Sequence, residues 1–406
     1  MNRIAAQKVC RTAACVLLVL SSLLFSSIAV ISRHIPQCFF VSPGEELAFS
    51  STGILQSTAP VTYGKTTLAD SAIGTDETVS VRLFGLFPVA KTRVQVCEEP
   101  HLAVGGMLFG IKLFTEGVMV VGTGTVETGS GAVSPAENAG IRKGDIILTV
   151  NGEAVTSNED LAAKLRACPG SATVRFRRGD KLCSTVLTPA RAVADGGLKG
   201  GLWVRDSTAG LGTVTYYDPK TGAFGGLGHG IRDSDTNLLM PLSDGQICKV
   251  KLNRIVKGRI GSPGELSGSF ASNTVYGSLS QNRDTGVYGT LGSEFIANPE
   301  ILPVAHKQNV KRGDAVIRCT LENGASEEYA IRIDRIDLSE HTQTQNMVIT
   351  VTDERLLAKT GGIVQGMSGS PIIQDGKLIG AVTHVLINDP TRGYGIFIEN
   401  MLEAAR

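Results

Sequence analysis

Short apolar runs separated by polar, glycine-containing turns make up most of this chain beyond its N-terminus. Between residues 100 and 191 these runs flank a single good helix candidate, which begins at Ser157 and places Leu161 and Leu165 on one face. From residue 195 to the C-terminus, apolar runs alternate with turn signals, and only residues 400–406 have a helical pattern. Regular short strands over such a segment predict β-barrel architecture. The pattern therefore predicts a mainly β, multidomain protein.

The N-terminus departs from this pattern, because an uncharged run at residues 12–32 follows three basic residues and ends before Arg33. The run is long enough for one helical crossing of a bilayer, and the basic residues favour a cytoplasmic N-terminus. We therefore expect residues 1–33 to form a cytoplasmic stub and a membrane anchor. The alternative is a cleaved export signal, although no clear cleavage site follows the apolar core. In either case the chain from about residue 34 lies outside the cytoplasm.

The length of the chain indicates how many domains it has, and its net charge indicates which ligands it does not bind. A chain of 406 residues exceeds the size at which a single hydrophobic core stops growing, so two or three domains are expected. We assign residues 34–99 to a linker with a small β element, residues 100–191 to one domain and residues 195–406 to another. The 39 basic and 38 acidic residues give a formal charge of +1, which provides no strong field for binding nucleic acid.

The eight cysteines show no CxxC spacing and no paired histidine–cysteine pattern, so we expect neither a metal site nor a cofactor. Cys168 and Cys183 could form a disulfide within one domain, although buried free thiols are the simpler interpretation. No cysteine occupies a glycine-flanked turn, which disfavours a thiol nucleophile. Hydroxyl, imidazole and carboxyl groups are therefore the better candidates for chemistry.

Residues 134–153 contain a short helical segment that ends in Ala-Gly, followed by Gly144-Asp145, an apolar strand and an Asn-Gly turn. The order of these motifs resembles part of a PDZ domain. In PDZ domains an extended peptide adds a strand beside a helix, and backbone amides receive its terminal carboxylate. The resemblance implies a groove with Leu161 and Leu165 on its helical wall. The resemblance also implies that a loop of Leu108, Phe109, Gly110 and Ile111 binds the terminal carboxylate of the peptide. Binding of internal peptides and simple packing on a neighbouring domain are the alternatives.

A turn of small residues precedes the apolar pair at 372–373, with the sequence Gly366-Met367-Ser368-Gly369-Ser370-Pro371. Glycines beside a serine let a substrate carbonyl approach the backbone closely, so a nucleophilic hydroxyl and oxyanion-binding amides can share one turn. An ordinary turn favoured by glycine, serine and proline is the alternative. The order Gly-x-Ser-Gly-x-Pro is similar to the nucleophile turn of chymotrypsin-like peptidases. This similarity implies that the amides of Gly366 and Ser368 bind the oxyanion.

A serine nucleophile needs a base, and two of the six histidines lie in apolar or glycine-rich contexts. His229, in Gly-Leu-Gly-His-Gly, is the favoured base, whereas His384 in a strand-like run is more simply a packed or pocket-lining residue. Asp353 follows an apolar strand at 348–351 and is the candidate carboxylate for orienting the base, with a plain surface position as the alternative. Solvation of turns explains its rivals more simply, namely Asp233, Asp235 and Asp375.

The chain closely resembles the sporulation stage IV protein B peptidases over nearly its whole length. The resemblance rests on the N-terminal apolar segment, the PDZ-like unit, Gly-Leu-Gly-His-Gly around His229 and Gly-Gly-Ile-Val-Gln-Gly-Met-Ser-Gly-Ser-Pro-Ile-Ile around Ser368. It implies a chymotrypsin-like double β-barrel peptidase domain in which His229 is the general base, Asp353 its orienting acid and Ser368 the nucleophile. Asp353 lies unusually close to Ser368 in the chain, so the family resemblance alone supports its role.

The family consists of serine peptidases of endospore-forming bacteria, which implies protein substrates for this chain. Members cross the forespore membrane into the space between the two membranes of the developing spore. There they cleave themselves and a regulatory subunit of a membrane-embedded metalloprotease, and the released metalloprotease activates a late sigma factor. The resemblance implies the same membrane-anchored or secreted location and the same partners here. The alternative from another functional class is a membrane-tethered PDZ binding or scaffold protein without catalysis.

Overall fold

The computed structural model describes residues 3–33, 35–43, 73–74, 76–83, 87–295, 299–322, 325–339 and 343–406. Its first element is a long helix, α1 (Arg3–Ser32), which includes an apolar window at Arg11–Ser32 with a mean hydropathy of 2.6. This helix is long and apolar enough to cross a membrane, as its sequence predicts.

A small sheet follows the N-terminal helix and consists of β1 (Cys38–Val41), β2 (Asp76–Leu83) and β3 (Phe87–Val96). Strand β3 lies in the middle, parallel to β1 and antiparallel to β2. The predicted small β element is therefore present, although most of the polar stretch before β2 lies outside the described residues. The sheet contacts the C-terminal half of the chain, where the Ser42 hydroxyl lies 3.3 Å from His306 Nε2.

The PDZ-like unit packs two helices against antiparallel strands. Its helix α3 (Asn158–Arg166) begins where the sequence predicts, because the Ser157 hydroxyl accepts a hydrogen bond from the Asp160 amide at 3.1 Å. The Gly-Asp motif has a structural reason, since the buried Asp145 carboxylate accepts two hydrogen bonds from Arg178 at 2.7 Å. The elements of this region are β4 (His101–Val104), β5 (Leu108–Thr123), β6 (Val126–Thr128), β7 (Gly131–Val133), α2 (Pro135–Asn138), β8 (Ile146–Val150), β9 (Glu153–Ala154), α3 (Asn158–Arg166), β10 (Ala172–Arg178), β11 (Lys181–Leu187), β12 (Ala190–Arg191) and β13 (Leu198–Lys199).

A first β-barrel is formed by β5 together with strands that follow the PDZ-like unit. Those strands are β14 (Leu202–Tyr217), β15 (Ala223–Gly226), β16 (Leu242–Val256), β17 (Glu265–Arg283) and β18 (Gly286–Leu291). Because β5 pairs with both β14 and β16, the ring closes in the order β5-β14-β15-β18-β17-β16. The PDZ-like unit is thus inserted between the first and second strands of this barrel. We assigned residues 100–191 to the PDZ domain alone, but the structure places the first half of β5 in the barrel and pairs β4 with the end of β14.

A second, closed barrel follows and consists of β20 (Gly313–Glu322), β21 (Ala325–Ile336), β22 (Met347–Val351), β23 (Pro371–Gln374), β24 (Lys377–Leu386) and β25 (Asp389–Phe397). Its strand order, β20-β21-β22-β25-β24-β23, is the same as that of the first barrel. Aliphatic side chains such as Ile317, Ile349 and Ile372 fill its interior. The predicted double-barrel fold is therefore confirmed. The other elements of this part of the chain are α4 (Glu354–Thr360), α5 (Ile398–Ala405) and β19 (Ile301–Pro303), which pairs with β4. Helix α5 matches the predicted C-terminal helix, whereas α4 was not predicted.

Candidate active site

The turn that contains Ser368 belongs to the second barrel but is held by the first. The Thr213 amide on β14 donates to the Ser368 carbonyl at 2.9 Å, and the Thr213 hydroxyl donates to the Gly366 carbonyl at 2.9 Å. The Thr215 hydroxyl donates to the Gly369 carbonyl at 2.7 Å. Since backbone groups buried at such a contact need partners, these bonds fix the turn between the two barrels.

Two glycines of this turn adopt conformations that other residues rarely adopt, with φ of +97° at Gly366 and +92° at Gly369. A Cβ on Gly369 would lie 2.0 Å from the Thr213 carbonyl oxygen and 2.5 Å from the Leu227 nitrogen. Glycine at this position therefore permits the first barrel to approach the nucleophile turn closely.

The amides of the turn divide into two sets. Met367, Gly369 and Ser370 donate to the carbonyls of Val364, Val382 and Met367, respectively. Within the described part of the chain, no such bond uses the amides of Gly366 or Ser368. Both of these residues line a cavity of about 560 Å³. The carbonyl oxygen of a substrate could therefore accept hydrogen bonds from the Gly366 and Ser368 amides.

His229 follows β15 and lines the same cavity as Ser368. Leu227 and Gly228, with φ of 65° and 68°, turn the chain sharply after β15 and direct it toward the second barrel. His229 Nδ1 lies 3.0 Å from the carbonyl oxygen of Gly230. A proton on Nδ1 donates to that carbonyl and leaves the Nε2 lone pair free, which is the tautomer that a general base requires.

A second imidazole lies beside His229, since the His384 ring on β24 has its centroid 4.7 Å away at an interplanar angle of 33°. Desolvation lowers the pKa of His229 below the ordinary 6.5; the hydrogen bond with Gly230 opposes this shift, and the charge of Arg232 adds to it. The pKa of His384 is lowered to about 4. The largest cause is desolvation, although part of the ring faces solvent, and the charges of His229 and Arg232 add to it. Both rings are therefore neutral at pH 7.

The Ser368 hydroxyl donates to the Thr383 carbonyl oxygen at 2.8 Å. Thr383 immediately precedes His384 on β24, so the hydroxyl rests on the wall of the cavity. Rotation about the Cα–Cβ bond of Ser368 releases it from this carbonyl. Catalytic hydrogen bonds are often formed only when substrate is bound, so this resting position is compatible with a nucleophile.

Asp353 does not line this cavity and instead caps α4. Its carboxylate accepts hydrogen bonds from the amides of Arg355 at 2.9 Å, Leu356 at 3.4 Å and Ala330 at 3.2 Å, and from the Arg355 guanidinium at 2.9 Å. The Arg355 side chain is the main cause that lowers the pKa of Asp353 to about 2, and the backbone donors add to it against the effect of burial. Ser368 and His229 thus line one cavity, whereas Asp353 lies at the beginning of α4 and pairs with Arg355. The orienting role of Asp353 stays a prediction.

The loop predicted to receive a peptide carboxylate is corrected by the structure. Residues 108–111 lie inside β5, where they pair with β14 on one side and β16 on the other. Leu108, Phe109 and Ile111 are also buried. Because both backbone edges of this segment are already paired, no peptide strand can be added there.

A groove does lie beside α3, where Leu161 and Leu165 line a cavity of about 410 Å³. The facing wall comes from the chain's own residues 197–204. Trp203 stands at this groove with 69% of its surface exposed. A Cβ on Gly200 would lie 2.9 Å from Leu165 Cδ1, so this part of the chain packs closely on the helix.

Sequence reasoning missed the two threonines that hold the nucleophile turn. Thr213 and Thr215 are 1% and 0% exposed and, two residues apart on β14, share one face of the strand. A pair of buried hydroxyls on one strand face indicates tertiary hydrogen bonds, since each must find an acceptor. The sequence contains this signal but does not identify the acceptors.

Two family models match this chain in the same order as its domains. The family model described as SpoIVB peptidase S55 matches residues 196–402, and a PDZ domain model matches residues 128–178. The solved PDZ domain of an SdrC-like protein from Listeria monocytogenes is 19% identical over 22% of this chain and 87% of that chain, with a TM-score of 0.18. Rv3671c from M. tuberculosis, solved as an inactive serine-to-alanine mutant, is 14% identical over 48% of this chain and 81% of that chain, with a TM-score of 0.28. A comparison with curated proteins found no match.

The peptidase model spans just over half of the chain and covers both His229 and Ser368, while the PDZ model covers the inserted unit. The chain therefore belongs to the SpoIVB peptidase S55 family and is a sporulation serine endopeptidase with a PDZ domain.

Proposed function

We propose that this chain hydrolyses peptide bonds with Ser368 as nucleophile and His229 as general base. The Ser368 oxygen attacks the substrate carbonyl carbon while His229 Nε2 accepts the hydroxyl proton. The carbonyl oxygen becomes negatively charged and accepts hydrogen bonds from the amides of Gly366 and Ser368. His229 then gives its proton to the leaving nitrogen as the C–N bond breaks. Water hydrolyses the acyl-enzyme by the same route.

The main support for this mechanism is that Ser368 and His229, which belong to different barrels, line one cavity. The neutral state of His229 at pH 7 suits a proton acceptor, and its Nδ1 has a backbone acceptor in Gly230. Before attack, the Ser368 hydroxyl must exchange the Thr383 carbonyl for His229 Nε2. We expect substrate binding to favour this rotation.

From the family resemblance we also propose that the Asp353 carboxylate orients His229. Asp353 lies just after β22, and its lowered pKa keeps the carboxylate ionised, as an interaction with the His229 imidazolium requires. In the arrangement described above, that role requires Asp353 to leave the cap of α4 and the Arg355 guanidinium. Such a rearrangement would move the beginning of α4, which makes the proposal testable by substitution.

We further propose that the substrates include the chain itself and a regulatory subunit of a membrane-embedded metalloprotease, whose cleavage leads to activation of a late sigma factor. Membership of the S55 family supports this proposal. The apolar helix α1 supports a location at a membrane. From the family resemblance we propose that this is the forespore membrane, with the peptidase in the space between the two spore membranes. The groove beside α3 is the surface that would select protein partners.

Two serines of one turn provide a matched test. In the full-length chain, Ser368→Ala should abolish self-cleavage and cleavage of a reporter peptide, a loss on the order of 10⁶ in kcat. Ser370→Ala should cleave at a rate near that of the wild type. The Ser370 hydroxyl is fully buried and, among the described residues, has no hydrogen-bond partner.

Cleavage by Ser368→Ala at the wild-type rate would identify another nucleophile. A folded wild-type chain that binds peptides but leaves them intact would instead support the non-catalytic scaffold. The single variant His229→Ala should lose activity to a similar extent as Ser368→Ala, because both side chains act in the same proton transfer.

A further inference from the structure

The connectivity of the first barrel brings the β17–β18 turn to the loop that contains His229. Strand β15 pairs antiparallel with β18, and Gly226 at the end of β15 lies opposite Val287 near the start of β18. In an antiparallel pair, the residues that follow one strand lie beside those that precede the other. Beyond this pair the chain turns at Leu227 and Gly228, and it meets the β17–β18 turn again at Gly230, beside Asp284.

Hydrogen bonds hold the two segments together at this point. The Gly230 amide donates to the Asp284 carbonyl at 3.0 Å. The Asn282 side chain accepts from the Ile231 amide and donates to the Ile231 carbonyl, each at 2.9 Å. The carbonyl of Gly230 is the group that lies 3.0 Å from His229 Nδ1. The β17–β18 turn therefore supports the residue that fixes the His229 tautomer.

Two charged side chains, Arg232 and Asp284, lie near His229. Arg232, on the His229 loop, lines the cavity, and its charge lowers the pKa of His229. The Asp284 carboxylate lies 2.5 Å from the Arg232 guanidinium and offsets its charge. From β24, His384 faces His229 in its neutral form. Arg283 of the same turn is directed to the Gln281 side chain.

We propose that Asp284 is the positioning residue for His229: it holds Gly230 through its backbone and balances the charge of Arg232 through its carboxylate. This inference rests on the proposed function, in which His229 accepts a proton. When His229 becomes an imidazolium, an unbalanced Arg232 would repel it. The Asp284 carboxylate removes this repulsion, so proton transfer from Ser368 becomes easier.

The test is the pH dependence of kcat/KM for a reporter peptide, measured on the full-length chain. Asp284→Asn should lower kcat/KM by about threefold and move the acid limb about half a pH unit lower, because Arg232 then disfavours the imidazolium while solvent screens part of its charge. Arg232→Gln should move the acid limb higher. The double variant should return it close to that of the wild type, and Asp284→Glu, which keeps the charge, should leave it near that of the wild type.

Thermal unfolding shows whether each variant is folded, and the half-exposed Asp284–Arg232 pair, 58% and 44% exposed, should contribute little to Tm. A folded Asp284→Asn variant with the wild-type rate and acid limb would overturn the inference. The inference would also be overturned if the acid limb of the kcat/KM profile shifted in Asp353→Asn but not in Asp284→Asn. Retained activity in Ser368→Ala and His229→Ala would instead refute the proposed function.

Discussion

Asp353 shows at the scale of a single residue how position and contacts can point to different roles. Its place after β22 and before Ser368 matches the order expected from the family resemblance. Its carboxylate, however, satisfies amides at the beginning of α4 and pairs with Arg355. These contacts are those of an N-cap, which satisfies donors that the first helical turn leaves unpaired.

Substitutions of Asp353 separate capping from catalysis. Asn caps helices about as well as Asp, whereas Ala typically costs about 1 kcal/mol. If Asp353 only caps α4, Asp353→Asn keeps kcat/KM within a few-fold of the wild type, and Asp353→Ala lowers Tm. A loss of about 10⁴ in kcat for Asp353→Asn, measured on folded protein, would establish the orienting role instead.

The pH dependence of the Asp353→Ala effect gives an independent check. Because the folded pKa is about 2 and the ordinary value is 3.8, the ionised carboxylate contributes its stability fully above pH 3.8. That contribution is lost as the pH falls through about 2. The difference in Tm between wild type and Asp353→Ala should therefore shrink between pH 4 and pH 2, to the extent that the chain remains folded.

Individual elements differ in how far their sequence predicts them. Helix α3 was predicted because its cap, acidic first turn and apolar face are all local signals. The short helix α4 lacks a long apolar repeat and was missed. Residues 108–111 were recognised as apolar, but periodicity does not reveal that β5 pairs with β14 and β16. The partners of a strand depend on distant segments, so they became known only from the fold.

The groove beside α3 can be tested with the only tryptophan of the chain, Trp203. Binding of an extended peptide should change Trp203 fluorescence, since this side chain is 69% exposed at the groove. Ala162→Glu should remove the response, because Ala162 lines the groove and a buried charge there is costly. Ala163→Glu is the matched control on the exposed face of α3 and should keep it. Equal responses from both variants would place the binding site elsewhere.

At the scale of the whole molecule, one strand connects the two functional regions. Strand β14 begins at the groove with Leu202 and Trp203 and reaches the nucleophile turn with Thr213 and Thr215. Turn spacing predicted β-barrel architecture and glycine clusters marked both motifs, because these are local features, whereas the family resemblance implied that there are two barrels. It could not predict that β14 joins them, since the contacts that do so link residues more than a hundred positions apart, such as Thr215 and Gly369.

The central claim is that residues from two barrels form one reactive site. Labelling of the full-length chain with a serine-directed fluorophosphonate, followed by mass spectrometry of its peptides, tests this most directly. We predict a covalent adduct on Ser368 that is lost in His229→Ala, because the hydroxyl needs its base to react. Ser370→Ala should be labelled like the wild type. Labelling at another serine, or undiminished labelling of Ser368 in His229→Ala, would contradict the account.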